Sequence, residues 1–173
     1  GLIDGAEVIS EESAEERGFA APTSDRFWLV DPLDGTKEFI NERDEFTVNI
    51  ALIDDGRPIM GVVVAPALGK TWAGSPDGAF MQDVGGENRR DIRVREVPTS
   101  GLTVTASRSH ADPAALEALL SGQKVNEVIN AGSSLKFCRV AEGAADLYPR
   151  QGRTMEWDTA AGQAVAEAAG AAV

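Results

Sequence analysis

Two carboxylates at the end of one apolar run could bind a hard metal cation. Phe27–Val30 is an aromatic-led apolar run that predicts a buried strand, and Asp31 and Asp34 follow it. Because Pro32 lacks an N–H and disfavours helical geometry in the residue before it, the strand is predicted to end at Asp31. The carbonyl of Leu33 lies between the two carboxylates, and hard divalent cations prefer oxygen ligands of these kinds. The segment therefore predicts a metal site on a rigid bend.

The residues that follow Asp34 could bind a phosphate. Gly35 forms a turn pair with Asp34, and Thr36 is predicted to begin a helix. The first N–H groups of a helix have no partner within the helix, so they attract anions. By itself, however, Asp-Pro-Leu-Asp-Gly is more typical of an ordinary surface turn, since these residues favour turns. The metal-and-phosphate interpretation therefore depends on other segments.

Two other segments accompany this one in the order of a known family. Val8–Ser13 contains Glu11 after a predicted strand, and Trp157–Gly162 contains Asp158. Together with Trp28–Phe39, they resemble the motifs of the lithium-sensitive, magnesium-dependent phosphatases of the inositol monophosphatase family. Without this resemblance, a solvated acidic loop explains Glu11 and a helix N-cap explains Asp158.

The resemblance implies a set of metal ligands and a mechanism. Two or three Mg²⁺ ions would activate a water molecule for direct attack on a phosphate ester. Glu11 and Thr36 would orient that water, and Asp34 would also take part in catalysis. Gly35 and Thr36 would present backbone N–H groups to the phosphate. The implied metal ligands are Glu11, Asp31, the Leu33 carbonyl, Asp34 and Asp158.

Within that family, the chain is most similar to the 3'(2'),5'-bisphosphate nucleotidase branch, the CysQ type. Lys37, Ser107–His110 and Gly132–Phe137 carry this resemblance. It implies the hydrolysis of the 3'-phosphate of adenosine 3',5'-bisphosphate to AMP and phosphate, with the sulfated analogue as another possible substrate. The implied substrate contacts are Gly35, Thr36, Ser107, His110, Gly132, Lys136 and Asp158. Taken alone, His110 is explained as a loop residue and Lys136 as an exposed helix charge.

Arg150 distinguishes between substrates within the family. It stands about where inositol phosphatases carry a Glu that holds sugar hydroxyls. A guanidinium binds phosphate in a bidentate manner, whereas a carboxylate repels it. Arg150 therefore favours a substrate with a second phosphate.

Composition excludes some partners and favours a location. Of the 173 residues, 43% are hydrophobic, which is enough for a core, and the net charge of −12 argues against nucleic acid as a partner. The single cysteine, Cys138, rules out an internal disulfide and suits a reducing cytoplasm; we expect it to be a buried apolar residue. The sequence predicts no signal peptide and no integral membrane segment. Peripheral association with the inner membrane and a homodimer stay open.

The pattern of elements predicts a layered arrangement of sheets and helices, of the α+β or α/β class. The resemblance implies a five-layer αβαβα sandwich, of the sugar-phosphatase type, here lacking its N- and C-terminal parts. We expect two lobes: residues 1–97 form a metal-binding lobe with an antiparallel sheet, and residues 98–173 form an α/β lobe with the substrate segments and Asp158.

Individual elements follow from periodicity and turn chemistry. In the first half we predict strands at 7–10, 46–53, 59–64, 70–73 and 79–82, a loop at 12–21, a hairpin turn at 54–56 and a connector at 83–90. In the second half we predict strands at 102–106 and 125–129, an extended segment at 145–148, and helices at 112–120, from Ser133 or Ser134 to Gly143, and from Asp158 to Ala169. Leu116, Leu119 and Leu120 of the first of these helices should face inward.

Other functions remain open on the sequence. Asp31 and Asp34-Gly35-Thr36 have a passing likeness to the nucleophile motif of haloacid-dehalogenase-type phosphatases, which form a phospho-aspartate. The remaining alternatives are an inositol monophosphatase-like sugar phosphatase and a metal-binding domain without catalytic activity.

Overall fold

Nine strands and five helices form in the part of the chain that the structure, a computed structural model, describes: residues 5–18, 21–107, 113–150 and 152–173. The elements are, in order, β1 Glu7–Ser10, α1 Glu11–Arg17, β2 Arg26–Asp34, α2 Thr36–Ile40, β3 Thr47–Asp54, β4 Arg57–Ala65, β5 Lys70–Ser75, β6 Gly78–Asp83, β7 Arg90–Ile92, β8 Leu102–Ala106, α3 Pro113–Leu119, β9 Val125–Asn130, α4 Leu135–Ala141 and α5 Glu156–Ala168.

Strands β1 to β7 form one sheet in their sequence order. Strand β1 runs parallel to β2, and every later neighbour is antiparallel. The predicted hairpin between β3 and β4 is confirmed, with Asp55 and Gly56 both at positive φ (49° and 71°) in the turn. Such turns match the twist of antiparallel strands. Strand β7 was not predicted from the sequence. It begins at Arg90, the last residue of the segment predicted as a connector.

The predicted end of β2 at Asp31 is wrong. The strand continues to Asp34, but its register against β3 shifts: Asp31 lies opposite Asn49, and Asp34 lies opposite Thr47. Three steps along β2 thus face two steps along β3, which is a bulge. A bulge tolerates Pro32, since the missing N–H is not needed for the ladder there. The bulge changes the direction of the end of β2, which carries the carboxylates of Asp31 and Asp34.

The predicted loop over residues 12–21 is wrong for residues 12–17, because Glu11–Arg17 forms helix α1. Ser10 caps this helix in a reciprocal arrangement: Ser13 N donates to Ser10 Oγ at 3.2 Å, and Ser10 N donates to Ser13 Oγ at 3.0 Å. The two bonds satisfy N–H groups that a helix start leaves unpaired. The cap places Glu11 at the first position of a helix.

Strands β8 and β9 pair in parallel as a separate small sheet. In the predicted extended segment at 145–148, Leu147 forms an isolated bridge to Val104. The prediction that Leu119 faces inward is wrong: it is 53% exposed, whereas Leu120 is buried. Successive helical side chains point about 100° apart, so neighbours seldom share a face. The start of the predicted helix at Asp112 lies outside the described residues.

Two helix starts differ from the predictions. Neither Ser133 nor Ser134 caps α4 with its side chain; Ser134 occupies the N-cap, but its hydroxyl bonds to Asp158 O. Helix α5 begins at Glu156, before the predicted Asp158, with Met155 as its N-cap. The contact with Asp158 takes the Ser134 hydroxyl away from α4, whereas the start of α5 is closed locally by the bond from Met155 N to the Asp158 carboxylate.

The layers run sheet, helices, sheet. Helix α5 lies across β2 to β6 of the large sheet, and α4 packs between α5 and the small sheet. One continuous core includes Trp72 and Val63 of the large sheet together with Leu135, Cys138 and Val165 of the two helices. Cys138 is therefore buried, as predicted. Both predicted lobes contribute to this core; the division at residue 97 stays a prediction.

None of the helices among the described residues has the length and apolar character that a membrane crossing requires.

Candidate metal and phosphate site

A pocket of about 430 Å³ opens where the end of β2 meets α2 and the starts of α1, α4 and α5. His110 lies outside the described residues, so the structure does not place it. All the other site residues named from the sequence line this pocket: Glu11, Asp31, Leu33, Asp34, Gly35, Thr36, Ser107, Gly132, Lys136, Arg150 and Asp158. The structure thus brings them together, while the role of each stays a prediction.

Three carboxylates form the centre of the pocket. Ligand oxygens of Asp31, Asp34 and Asp158 all lie within 4.8 Å of one another. The first two stand at the bulged end of β2, and Asp158 stands in the first turn of α5. Like charges this close repel each other unless a cation lies between them.

Asp31 is 1% exposed, and its Oδ1 accepts a hydrogen bond of 2.9 Å from the N–H of Leu33. Burial, followed by the negative charge of Asp34, raises the pKa of Asp31 to about 8, against the lowering effect of that hydrogen bond. Its ordinary pKa is about 3.9. A bound divalent cation would reverse this balance, because it favours the charged form.

Asp34 is held by donors from two distant parts of the chain. Its Oδ2 accepts from Ser134 N at 2.8 Å, from Thr47 Oγ1 at 3.2 Å and from Asn49 Nδ2 at 3.3 Å. Burial and then the charge of Asp158 raise the pKa of Asp34, and the bonds from Asn49 and Ser134 oppose this. The donors fix the orientation of the carboxylate.

Asp158 is the third residue of α5 and Met155 is the N-cap, so the explanation of Asp158 as a helix N-cap is wrong. Its Oδ2 reaches back to accept from Met155 N at 3.1 Å and from Thr154 Oγ1 at 2.7 Å. Its backbone oxygen accepts from Ser134 Oγ at 2.7 Å. The carboxylate is therefore oriented by the start of its own helix, and the helix start is tied to the loop before α4.

Glu11 lies beside the three aspartates and outside the 4.8 Å group that the described residues form. Burial and then the charge of Asp158 raise the pKa of Glu11. Glu11 is thus part of the pocket wall, which contradicts its explanation as a solvated loop residue.

Lys136 and Arg150 bring positive charge to the same pocket. Lys136 is 2% exposed, so its explanation as an exposed helix charge is wrong. Its Nζ donates to Ser133 O at 2.7 Å and to Ala131 O at 3.3 Å, and burial lowers its pKa to about 8. The Arg150 guanidinium is exposed and donates to Arg153 O at 3.1 Å.

Gly35 stands at the closest approach between the two main segments of the site. Its φ is 90°, a left-handed value that favours glycine, and a Cβ there would lie 2.1 Å from Ser133 Oγ. Thr36 begins α2, and its Oγ1 donates to the Leu33 carbonyl at 3.4 Å. The Asp34-Gly35-Thr36 turn and the loop before α4 are therefore in direct contact.

The donor set suits a hard divalent cation. Three carboxylates and a backbone carbonyl line the pocket, and all are oxygen ligands of the kind that Mg²⁺ and Ca²⁺ prefer. Burial, and after it the charge of Asp34, disfavours the ionised form of Asp31, and a bound cation would offset both effects. These residues fit a bound divalent metal.

Sequence reasoning missed the residues that orient the ligands. Thr47, Asn49, Thr154 and Ser134 donate to Asp34 or to Asp158. The sequence indicates two of them. Thr47 and Asn49 are two residues apart, so they lie on the same face of a strand that is otherwise mostly apolar. Buried polar side chains in such positions need partners.

A comparison with known families supports the resemblance. The sequence model of the inositol monophosphatase family matches residues 2–173. This chain belongs to the inositol monophosphatase family.

Relatives within the inositol monophosphatase family include bacterial nucleotidases. The chain is 54% identical over 148 residues to the 3'(2'),5'-bisphosphate nucleotidase CysQ of Escherichia coli K12, covering 86% of this chain and 58% of that protein. It is 46% identical over 167 residues to the CysQ of Buchnera aphidicola, covering 96% and 61%. The chain thus spans about three fifths of the length of these relatives.

A solved structure in the same family has the same fold. The crystal structure of CysQ from Bacteroides thetaiotaomicron, described as a bacterial member of the inositol monophosphatase family, superposes with a TM-score of 0.79 at 37% identity. The match covers 96% of this chain and 67% of that one. The predicted layered α/β fold of this family is therefore confirmed, and so is the prediction that the chain is shorter than its relatives.

Proposed function

We propose that this chain carries the catalytic site of a magnesium-dependent 3'(2'),5'-bisphosphate nucleotidase. The reaction is hydrolysis of the 3'-phosphate of adenosine 3',5'-bisphosphate to AMP and phosphate, by direct attack of water. The observation that carries this proposal is the convergence of Asp31, Asp34 and Asp158 within 4.8 Å in a pocket that also contains Lys136. The identity of 54% to a protein of that name supports the choice within the family.

The chain would hold Mg²⁺ through Asp31, Asp34, Asp158, the Leu33 carbonyl and Glu11. When bound, the metal would supply a Lewis acid that polarises the phosphate and makes water a stronger nucleophile near neutral pH. The bonds from Ser134, Thr47 and Asn49 keep Asp34 oriented before the metal arrives. Such preorganisation lowers the cost of forming the loaded site.

Glu11 and Thr36 are assigned to the attacking water. Both line the pocket beside the aspartates. The Glu11 carboxylate oxygens can accept a hydrogen bond from this water. Thr36 Oγ1 already donates to the Leu33 carbonyl, so its lone pairs can accept a hydrogen bond from water. Together they orient the water toward the phosphorus.

The positive charge in the pocket supports a substrate with two phosphates. Lys136 and Arg150 can compensate a second phosphate, which an inositol monophosphate lacks. Ser107 and Gly132 complete the described wall on the nucleotide side, and His110 stays a predicted contact.

A substrate panel tests the proposal. Phosphate release is measured with Mg²⁺ or with EDTA, on adenosine 3',5'-bisphosphate, inositol 1-phosphate and fructose 1,6-bisphosphate. We expect the adenosine substrate to give the highest kcat/KM and EDTA to abolish turnover. Preference for inositol 1-phosphate would favour a sugar phosphatase, and Mg²⁺ binding without any turnover would favour a non-catalytic domain.

Arg150→Glu tests the role of the guanidinium. We expect it to lower kcat/KM for the bisphosphate about tenfold or more and to affect inositol 1-phosphate less, because a carboxylate repels the second phosphate. Arg153→Glu changes the same charge at an exposed position outside the pocket lining and serves as the control. An equal loss on both substrates contradicts the role of Arg150.

Membership of the inositol monophosphatase family supports the proposed mechanism over the haloacid-dehalogenase alternative. That mechanism requires a phospho-aspartate, whereas the proposed one has no covalent intermediate. Trapping with hydroxylamine should therefore give no hydroxamate. The predicted cytoplasmic location and homodimer stay predictions.

A further inference from the structure

Glu45, a residue in the segment between α2 and β3, contacts the loop that precedes α4. Its Oε2 accepts a hydrogen bond from Gly132 N at 3.1 Å, and its backbone oxygen accepts from Ser133 Oγ at 2.9 Å. The same hydroxyl lies 3.0 Å from the backbone oxygen of Asp34. Residues far apart in sequence are therefore joined beside the pocket, and Glu45 provides both a side-chain and a main-chain acceptor.

The loop that Glu45 contacts organises much of the site. Ser134 N donates to the carboxylate of Asp34, and Ser134 Oγ donates to the backbone oxygen of Asp158. Ser133 O accepts from Lys136 Nζ. Three groups of the pocket therefore depend on the position of two consecutive serines.

This loop adopts a conformation that needs support. Ser133 has a φ of 47°, in the left-handed region that non-glycine residues seldom occupy. Gly132 packs so closely on Glu45 that a Cβ would lie 2.7 Å from Glu45 O and 2.9 Å from Glu45 Cβ. An unfavourable backbone conformation persists when surrounding contacts determine it. Glu45 contacts both of these residues.

We propose that Glu45 is a positioning residue: by accepting the Gly132 N–H, it holds the 132–134 loop in the conformation that orients Asp34 for a divalent cation. What matters is the acceptor oxygen and its place, so a glutamine should serve nearly as well. The part that concerns the cation rests on the proposed function. The part that concerns the loop does not.

The first measurement is amide hydrogen exchange over residues 131–136 in the intact, metal-free protein. We expect Glu45→Ala to accelerate exchange in this segment, because the Gly132 N–H loses its acceptor and the loop that places the Ser134 N–H against Asp34 loses a support. Glu45→Gln should exchange at the parent rate. Asp44→Ala, an adjacent exposed acidic residue, is the matched control and should also leave the segment unchanged. Unchanged exchange in Glu45→Ala overturns the proposal.

The second measurement is binding of Mn²⁺ alone, followed by the electron paramagnetic resonance signal of the free ion. Changing a group that orients a metal ligand weakens metal affinity about 10- to 100-fold, so we expect about a tenfold weaker Kd for Glu45→Ala. Glu45→Gln and Asp44→Ala should bind as the parent does. A Glu45→Gln variant as weak as Glu45→Ala also overturns the proposal, since it would show that charge matters and the acceptor does not.

Turnover separates positioning from general damage. Glu45→Ala should need more Mg²⁺ for half-maximal rate but recover most of the parent kcat at saturating Mg²⁺, and a kcat that stays low overturns the proposal. If Glu45→Ala does not fold, Ser133→Ala removes the hydroxyl between Asp34 and Glu45 and should weaken Mn²⁺ binding in the same direction. Should the parent protein bind Mn²⁺ but hydrolyse nothing, the proposed function fails while the exchange result still decides the role of Glu45.

Discussion

Asp31 combines nearly complete burial with three acidic neighbours, and this combination limits what the residue can do. The charges of Asp34, Glu11 and Asp158 all disfavour its ionised form, and so does burial. A carboxyl in such a place is stable either with a proton or with a cation. The hydrogen bond from Leu33 N holds its orientation in both cases. Asp31 is therefore more informative about metal binding than the exposed acidic residues that make up most of the charge of the chain.

Asp31→Asn should remove activity and keep the fold. The amide still accepts the Leu33 N–H but contributes no charge to a cation, so we expect kcat to fall by about 10³-fold. The melting temperature of the metal-free protein at pH 8 should stay the same or rise, because one repelling charge is gone. Phosphate-release kinetics and thermal unfolding check the two parts. Activity near the parent level would remove Asp31 from the set of ligands.

Stability should depend on pH and Mg²⁺ together. The pKa of Asp31 is about 8 in the folded chain and about 3.9 in an unfolded one, so the folded state binds more protons between these values. The free energy of unfolding of the metal-free protein therefore falls as pH rises from about 4 to about 8. Mg²⁺ binds the ionised carboxylates, so its stabilising effect should grow over the same range.

Thermal unfolding at pH 6 and pH 8, each with Mg²⁺ and with EDTA, measures this dependence. We expect the difference in melting temperature between Mg²⁺ and EDTA to be larger at pH 8. Asp31→Asn should reduce the pH dependence of the metal-free protein. An equal effect of Mg²⁺ at both pH values would argue against a protonated acidic cluster.

Helix α5 carries Asp158 to the pocket, and two glycines allow it to lie close to the large sheet. Gly61 of β4 and Gly74 of β5 are opposite each other in the ladder. A Cβ on Gly61 would lie 2.3 Å from the Ala161 carbonyl, and one on Gly74 would lie 2.6 Å from the Val165 Cα. The absence of side chains at both positions leaves a groove for the backbone of the helix.

Gly74→Ala should therefore destabilise the protein. The added methyl group meets backbone atoms of α5, which cannot rotate away, and overpacking of this kind costs about 1–3 kcal/mol. Gly85→Ala is the control, since its nearest neighbour is the flexible carboxylate of Glu87 at 3.8 Å; we expect a change within about 0.5 kcal/mol. Denaturant unfolding measures both. A neutral Gly74→Ala would mean that α5 can move away from the sheet without loss.

The continuous core joins both halves of the chain into one structure. Val165 and Leu135 from the second half pack in the same cluster as Trp72 and Val63 from the first. Arg95 and Asp146 add an ion pair of 2.8 Å across the two halves, and Asp146 also accepts from Thr103 N. In the part of the chain that the structure describes, α4 and α5 pack into this one core. We therefore expect them to unfold together with the large sheet.

Unfolding should accordingly be a single transition. Trp28 and Trp72 report on residues 1–97, Trp157 reports on residues 98–173, and far-UV circular dichroism reports on both. We expect tryptophan fluorescence and circular dichroism to give the same midpoint in denaturant. Two separate midpoints would show that the predicted lobes are independent folding units.

Periodicity and turn chemistry predicted most of the strands, because these patterns depend on neighbours in sequence. The hairpin at Asp55-Gly56 is an example, since its turn residues and alternating flanks act locally. The predictions that are wrong concern features that depend on residues far apart in sequence. The bulge in β2 depends on the pairing of this strand with β3, which the local sequence does not reveal. Helix α1 is an exception, because its Ser-x-x-Ser cap lies within four consecutive residues.

The amino-acid sequence by itself determined the turn at Asp34-Gly35 that leads into α2, because glycine readily adopts the positive φ that this turn requires. Tertiary structure alone decided that Asp158 joins Asp31 and Asp34, because its position depends on α5 lying in the glycine groove of the large sheet. It also decided that Lys136 is buried and that Glu45 reaches Gly132. Contacts of this kind arise from packing between distant segments, which local sequence preferences do not encode.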